Sequence, residues 1–168
     1  LKEQKQLEKV VFIDEQVDVW QNFVGKDLIK SFYENPKRWG FTFQSCALMS
    51  MINRQLDSEN AKIRIMERCP DTSIKVFTRI MEESKFISGT ETDILKGWYD
   101  LIKRTNAVNL NIDAYIYVQT TVPIALDRIS YRDRPGEKNL TWEYARKLEN
   151  THEEWLMQRN QTEQDKEL

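Results

Sequence analysis

Short continuous apolar runs alternate along this chain with longer stretches in which apolar residues recur every three or four positions. Val10-Val-Phe-Ile13 is β-branched, continuous and short, which predicts a buried strand. A second strand is predicted over residues 62–66. A third is predicted over 113–120, around the run Ala114-Tyr-Ile-Tyr-Val118. A short helix is expected to begin at Gly25 and Lys26, to run through Phe32 and to break at Glu34-Asn-Pro36. Helical spacing over 43–55 predicts a long, largely buried helix starting at about Ser45. Pro70 stands in the first turn of a helix over 70–82. Residues 86–89 read as a loop before an amphipathic helix over 92–104 that carries Trp98, Tyr99 and Leu101. Pro123 opens a helix carrying Arg128, and Thr141 N-caps a last helix ending at Met157, with Glu143 and Tyr144 in its first turn. Residues 1–9 read as the end of a helix already under way, and 158–168 as a polar tail that frays. With no internal repeat and no linker, residues 1–168 form one domain. Strands alternating with helices imply an α/β domain with a parallel sheet. Ligands in such sheets sit beyond the carboxyl ends of the strands, which points to Asp14-Glu15 and Glu67-Arg68. Acidic residues there suit metal ligation or base chemistry, or are plain charge at a loop start.

Composition narrows the function. The chain has 168 residues, enough for one domain with a real core, and 40% hydrophobic with 11% aromatic residues describe a globular protein. Lys and Arg number 25 against 27 Asp and Glu, a net charge of −2, so no general nucleic-acid surface is expected and any anion site must be local. No apolar run is long enough to span a bilayer, and no signal peptide is visible, although the chain opens at Leu1. Cys46 and Cys69 have no metal or disulfide spacing and are expected as reduced, partly buried thiols of an intracellular protein, in cytoplasm or mitochondrion. A single histidine, His152, excludes a site built on several.

Two stretches carry candidate chemistry. Arg128-Ile-Ser-Tyr-Arg132-Asp-Arg134 places Arg128 and Arg132 on one helix face, with Arg134 just before Pro135 and Gly136, which stop the helix. Guanidinium forks match phosphate oxygens, so this is either a lid that clamps a polyphosphate or a solvated helix end favoured by the helix dipole. In Trp39-Gly-Phe41-Thr-Phe43-Gln44, rings alternate with polar groups. Three rings and one amide make a slot for a flat heterocycle, stacked on rings and read by Gln44, or they are ordinary core aromatics.

In order and spacing, Glu15 with Trp20, Tyr33-Glu-Asn-Pro, Trp39-x-Phe-Thr-Phe-Gln44, Glu67-Arg68, Arg128-Ile-x-x-Arg132-x-Arg134-x-x-Glu137 and His152-Glu-x-Trp155-Leu resemble the deoxynucleoside kinases, over about residues 12–156. The resemblance implies a P-loop kinase-like parallel sheet flanked by helices. It implies transfer of the γ-phosphoryl group of ATP to the 5′-hydroxyl of a deoxynucleoside in nucleotide salvage, with Mg²⁺ and as a homodimer. Glu15 is then the general base, Arg68 holds the hydroxyl and steadies charge, and Glu67 helps hold Mg²⁺. Gln44 pairs with the base, Phe77 stacks on it, and Phe43 and Trp20 wall the slot, with Ile29 and Phe32 also against the substrate. Tyr33 and Glu137 hold the sugar 3′-hydroxyl, and Arg128, Arg132 and Arg134 close over the phosphates.

Members acting on deoxycytidine and deoxyguanosine carry an arginine and an aspartate where this chain has Met51 and Ser73. The resemblance therefore implies a thymidine- or pyrimidine-accepting pocket, unless a shifted register brings Asp71 to that place. None of the glycines at positions 25, 40, 89, 97 and 136 makes the family's Gly-x-x-x-x-Gly-Lys-Ser/Thr loop. The first strand leading into that loop, which would be a central neighbour for the strands at Val10 and Lys62, is also missing, as is the last strand. The expectation is a chain incomplete at both ends, whose full-length form binds the triphosphate, in preference to a reduced relative with a rebuilt sheet. The competing readings are a non-catalytic interaction subunit of the same fold, such as an accessory subunit of respiratory NADH dehydrogenase, and a nucleoside monophosphate kinase such as a thymidylate kinase.

Overall fold

A computed structural model describes residues 10–57, 61–106, 108–133, 137 and 140–164, with side chains as far as residue 157. The helix expected over 1–9, Arg134 and the helix stop at Pro135-Gly136 lie outside the described residues.

Two strands form as expected. β1 (Val10–Ile13) and β2 (Ile63–Met66) pair in parallel, Val10 opposite Ile63 and Ile13 opposite Met66. They are direct neighbours, and the ladder closes with the Glu67 amide donating to the Ile13 carbonyl at 3.0 Å. Burial of β1 is a correction: Phe12 is 71% exposed, because no further strand or helix among the described residues covers that face.

Helices supply most of the structure. α1 (Val17–Gln21), not foreseen in the sequence, follows β1 directly. α2 (Leu28–Glu34) starts later than expected. Gly25 and Lys26 instead belong to a tight turn in which Val24 and Gly25 take positive φ and Phe23 bridges Lys26. The Asp27 carboxylate then caps α2 by accepting from the Lys30 amide at 2.8 Å. α3 (Pro36–Asp57) begins nine residues before Ser45. Asn35 Oδ1 accepts from the Arg38 amide at 3.2 Å and Pro36 takes the first helical position, where its missing donor costs nothing. The ring-rich segment thus lies on the first turns of a helix, not before it. α3 is buried on several sides, and Gly40 lets it approach the Phe86 carbonyl, which a Cβ there would meet at 3.1 Å.

α4 (Pro70–Thr72), a π-helical segment (Ser73–Thr78) and α5 (Arg79–Glu83) run on as one rod. The wide turn has a visible cause. Thr78 Oγ1 donates to the Ser73 carbonyl at 2.9 Å and Gln44 Nε2 donates to it at 2.8 Å, so side chains enter the backbone ladder. α6 (Gly89–Thr105) opens three residues before residue 92 on a capping box in which Ser88 and Glu91 satisfy each other's amides. α7 (Val122–Arg132) follows Thr121, and Asp133 ends it in the left-handed conformation. In α8 (Trp142–Gln164) Thr141 accepts from the Tyr144 amide at 3.2 Å, and the helix runs seven residues past Met157, through part of the expected tail.

The third strand does not form. Residues 113–120 have no regular secondary structure and join no ladder among the described residues. Alternation still sorts the faces. Tyr115 packs edge-on against Trp155 of α8 and Tyr117 stacks on His152, while Ile116 and Val118 point outward, 83% and 78% exposed. The pattern fixes which side faces inward, but a ladder also needs a neighbouring strand.

Two buried clusters form the core. One gathers Phe32, Leu48, Ile74, Met81, Leu95 and Tyr99; the other gathers Trp20, Leu28, Ile29, Ala47 and Met51. Tyr33, Trp39 and Phe43 pack against both. Cys46 and Cys69 are buried free thiols. No helix among the described residues is long and apolar enough to cross a membrane.

Candidate active site

A cavity of about 360 Å³ opens between the two clusters, beyond the carboxyl ends of β1 and β2. Its position obeys the strand-end rule, and its size suits a small ligand.

One wall is aromatic and apolar. Trp20 meets Phe43 edge-on at 5.7 Å, and Phe43 stacks on Phe32 at 5.2 Å. Trp20 Nε1 donates to Ser50 Oγ at 2.9 Å, fixing the indole. Ile29, Tyr33 and Met51 complete this side. Gln44 and Ser73 form the polar floor. Gln44 is 2% exposed, and its Nε2 lies within bonding distance of the Ser73 carbonyl, Ser73 Oγ and Thr78 Oγ1. Because a carbonyl can only accept, the amide's nitrogen is turned into the π-helical segment.

The mouth is charged. Arg68 Nη1 reaches Glu15 Oε1 at 2.7 Å, and the Arg68 guanidinium lies 4.7 Å above the Phe77 ring. Arg68 holds a positive φ of 59°, a left-handed conformation that costs energy for a residue with a Cβ and recurs at functional sites. Asp14 and Glu67 flank it on the strand ends. From the other side Arg132 grips buried Glu137 in a forked pair, Nη2 lying 2.8 Å from each oxygen.

Fourteen of the expected site residues therefore line one cavity: Glu15, Arg68 and Glu67 at its mouth, Arg132 and Glu137 across from them, and Trp20, Ile29, Phe32, Tyr33, Phe43, Gln44, Met51, Ser73 and Phe77 around its walls and floor. Arg128 is exposed and does not line it, although Ile129 and Arg132 of the same helix do. Arg134 lies outside the described residues. Asp71 is not at the cavity. It turns away and accepts from Tyr99 Oη at 2.8 Å and Tyr115 Oη at 2.9 Å, whereas Ser73 lines the cavity.

The sequence did not single out Tyr144 or Arg54 for the site. Tyr144 lines the cavity, and its phenol is pushed up, by burial first and then by Tyr33, with Arg68 opposing. Its place in the first turn of α8 was legible; its inward face was not. Arg54 donates to backbone carbonyls at both strand ends. Its signal was a lone arginine within a buried helical pattern.

The sequence matches the deoxynucleoside kinase family over residues 2–166, and the chain belongs to that family. It is 34% identical to human deoxycytidine kinase over 142 residues, which is 80% of this chain and 55% of that enzyme. It is 27% identical to human mitochondrial thymidine kinase 2 over 148 residues, 88% of this chain and 55% of that enzyme. The chain spans about half the length of the curated relatives it matches.

Proposed function

We propose that this cavity holds a deoxynucleoside and that the whole protein transfers the γ-phosphoryl group of ATP to its 5′-hydroxyl, a salvage reaction. The observation that carries this reading is the Glu15–Arg68 pair at the mouth of a ring-lined cavity with an amide at its floor. Phosphoryl transfer needs positioning and charge neutralisation more than covalent chemistry, and these groups supply both. Glu15 takes the hydroxyl proton as O5′ bonds to the γ-phosphorus and the bond between that phosphorus and the leaving ADP breaks. Arg68 neutralises charge on the transferred group. To do so it leaves the Phe77 ring, which then becomes available for stacking on the base. Gln44 reads the base edge, Trp20 and Phe43 confine it, and Ile29 and Phe32 back them. Tyr33 and Glu137 hold the 3′-hydroxyl, and Arg132 with Arg128 and Arg134 closes over the phosphates.

Among the described residues no three acidic, histidine or cysteine side chains are arranged to hold an ion. Mg²⁺ commonly takes one or two carboxylates plus substrate phosphates, and exposed Glu67 at the cavity mouth fits that role. Bound there, Mg²⁺ supplies charge neutralisation at the phosphates. Met51 and Ser73, apolar and small, favour thymidine or another pyrimidine deoxynucleoside. Exposed Met49 of α3 and Ile94, Trp98 and Leu101 of α6 support a homodimer.

The test is turnover of the full-length protein with ATP, Mg²⁺ and each deoxynucleoside. Thymidine or deoxycytidine phosphorylation is expected. Phosphorylation of a monophosphate instead, or turnover of neither class, refutes the proposal.

A further inference from the structure

We propose that Arg54 is a positioning residue for phosphoryl transfer, one guanidinium that ties the ends of β1 and β2 together and so aims Glu15 and Arg68 at each other. This rests on the kinase reading of the cavity and adds to it a residue that does not itself line the cavity.

Arg54 lies near the end of α3 and is 5% exposed. Its Nη1 donates to the Asp14 carbonyl, and its Nη2 donates to the Glu67 carbonyl at 3.5 Å. The choice of carbonyls is the decisive point. The Asp14 carbonyl belongs to the peptide unit that leads into Glu15, and the Glu67 carbonyl to the unit that leads into Arg68. The last rung of the ladder is Glu67 N–H to Ile13 C=O. Beyond it no backbone bond joins the two strand ends among the described residues, and Arg54 bridges the gap.

Arg68 gives the second reason. Its φ of 59° is set by the orientation of the preceding peptide plane, whose carbonyl Arg54 holds. A left-handed arginine persists only where its surroundings over-determine it. Charge is the third. Burial pushes the Arg54 guanidinium down from its ordinary range, and Glu15, Glu67 and Asp14 act to restore it. A buried guanidinium is an expensive way to hold a helix against a sheet, since apolar residues of similar volume do that as well or better. Its planar fork is suited to grasp two acceptors at once, which lysine's point charge is not.

The experiment uses the full-length protein, with Arg54→Met and Arg54→Lys. Misplacement of reacting groups by an ångström costs up to about 100-fold in rate, so Arg54→Met is expected to lower kcat about 10- to 100-fold while nucleoside KM and affinity by calorimetry stay within about twofold. Arg54→Lys keeps volume and charge, is expected to fold, and recovers only part of kcat because it cannot hold both carbonyls. Its backbone amide resonances at Glu15 and Arg68 are expected to move while those of α6 stay. Unchanged kcat in Arg54→Met overturns the proposal, as do unmoved Glu15 and Arg68 amides in Arg54→Lys. So does a parallel loss of nucleoside affinity and kcat, the mark of a merely structural role. A wild-type protein that turns over no deoxynucleoside overturns the kinase reading instead, and this inference with it.

Discussion

Glu15 and Arg68 meet at 2.7 Å across the ends of neighbouring strands, although 53 residues separate them in the chain. The carboxylate is nearly enclosed, its side chain 8% exposed, while the guanidinium is at the surface and rests on Phe77. The parallel register of β1 and β2 makes this meeting possible. Ile13 and Met66 are opposite each other, so the second residue beyond each strand emerges at the same level. Two residue types that suit acid–base work and anion binding are thus delivered to one point by four rungs of ladder.

Replacing Glu15 by Gln keeps size and hydrogen-bonding reach but removes the proton acceptor. Turnover is expected to fall by about 100-fold or more, in the range typical of a lost general base, with nucleoside affinity nearly unchanged. Steady-state kinetics beside calorimetry checks this. Full activity in Glu15→Gln excludes the assigned chemistry.

Asp71 makes a different contribution. It joins three segments, accepting from Tyr99 of α6 and from Tyr115 and pairing with Lys75 of the π-helical segment at 3.1 Å. Burial raises its carboxyl pKa, but the two phenols and Lys75 outweigh this and hold it below its ordinary 3.8. A carboxyl lowered in the fold stabilises above its unfolded pKa and loses that stability as pH falls through the folded one. Removing one partner of a buried network strands the others, so Asp71→Ala is expected to cost about 2–4 kcal/mol in chemical denaturation. The ratio of thymidine to deoxycytidine turnover should not change, because Asp71 faces away from the cavity. A changed ratio contradicts that placement.

These cases show which physics was legible in the sequence. The candidate site followed from a family resemblance carried by motifs in order, and fourteen of those positions share one cavity because strand ends and helix faces are set by local periodicity. The unread parts depend on distant partners. The start of α3 was misplaced because the aromatic segment masked an ordinary Asn-Pro cap. The π-helical turn arises from a side chain 29 residues earlier, Gln44, bonding into the Ser73 backbone, which no local pattern encodes. Tyr115, Ile116, Tyr117 and Val118 alternate as a strand does, yet strand formation also requires a partner ladder. Arg54 was passed over because charge within an apolar helix carries no indication of which carbonyls it will meet.

His152 should govern part of the acid response. Its ring stacks on Tyr117 and meets Phe77 edge-on, with Nδ1 2.7 Å from the Leu148 carbonyl. Burial pushes its pKa below the ordinary 6.5, the Leu148 bond opposes this, and the nearby charge of Arg68 lowers it further. A histidine lowered in the fold binds its proton more readily when unfolded. Stability is therefore unaffected well above pH 6.5 and is lost as pH falls from there towards the folded pKa. His152→Phe keeps the ring packing and removes the titration, so its stability should vary less with pH between 6.5 and the folded value. Urea titrations of both proteins at a series of pH values check this. Parallel pH dependences would show that His152 does not contribute.

The proposed preference for a pyrimidine base makes Met51 and Ser73 testable. Both line the cavity and both are buried, Ser73 fully, with its hydroxyl already taking a bond from Gln44 at 2.7 Å. A carboxylate placed there enters a fully buried position, so Ser73→Asp is expected to destabilise the fold. Met51→Arg supplies the missing partner, so the double variant should regain part of the stability lost by the single one, a coupling that a double-mutant cycle measures. The charged pair also narrows the space that Met51 leaves for an apolar substituent such as the thymine methyl group. Thymidine turnover should fall relative to deoxycytidine and deoxyguanosine by about tenfold or more, the range for discrimination by a few substituent contacts. If the double variant retains the wild-type preference, or if the wild type phosphorylates deoxyguanosine much faster than thymidine, these two positions do not set the choice of base.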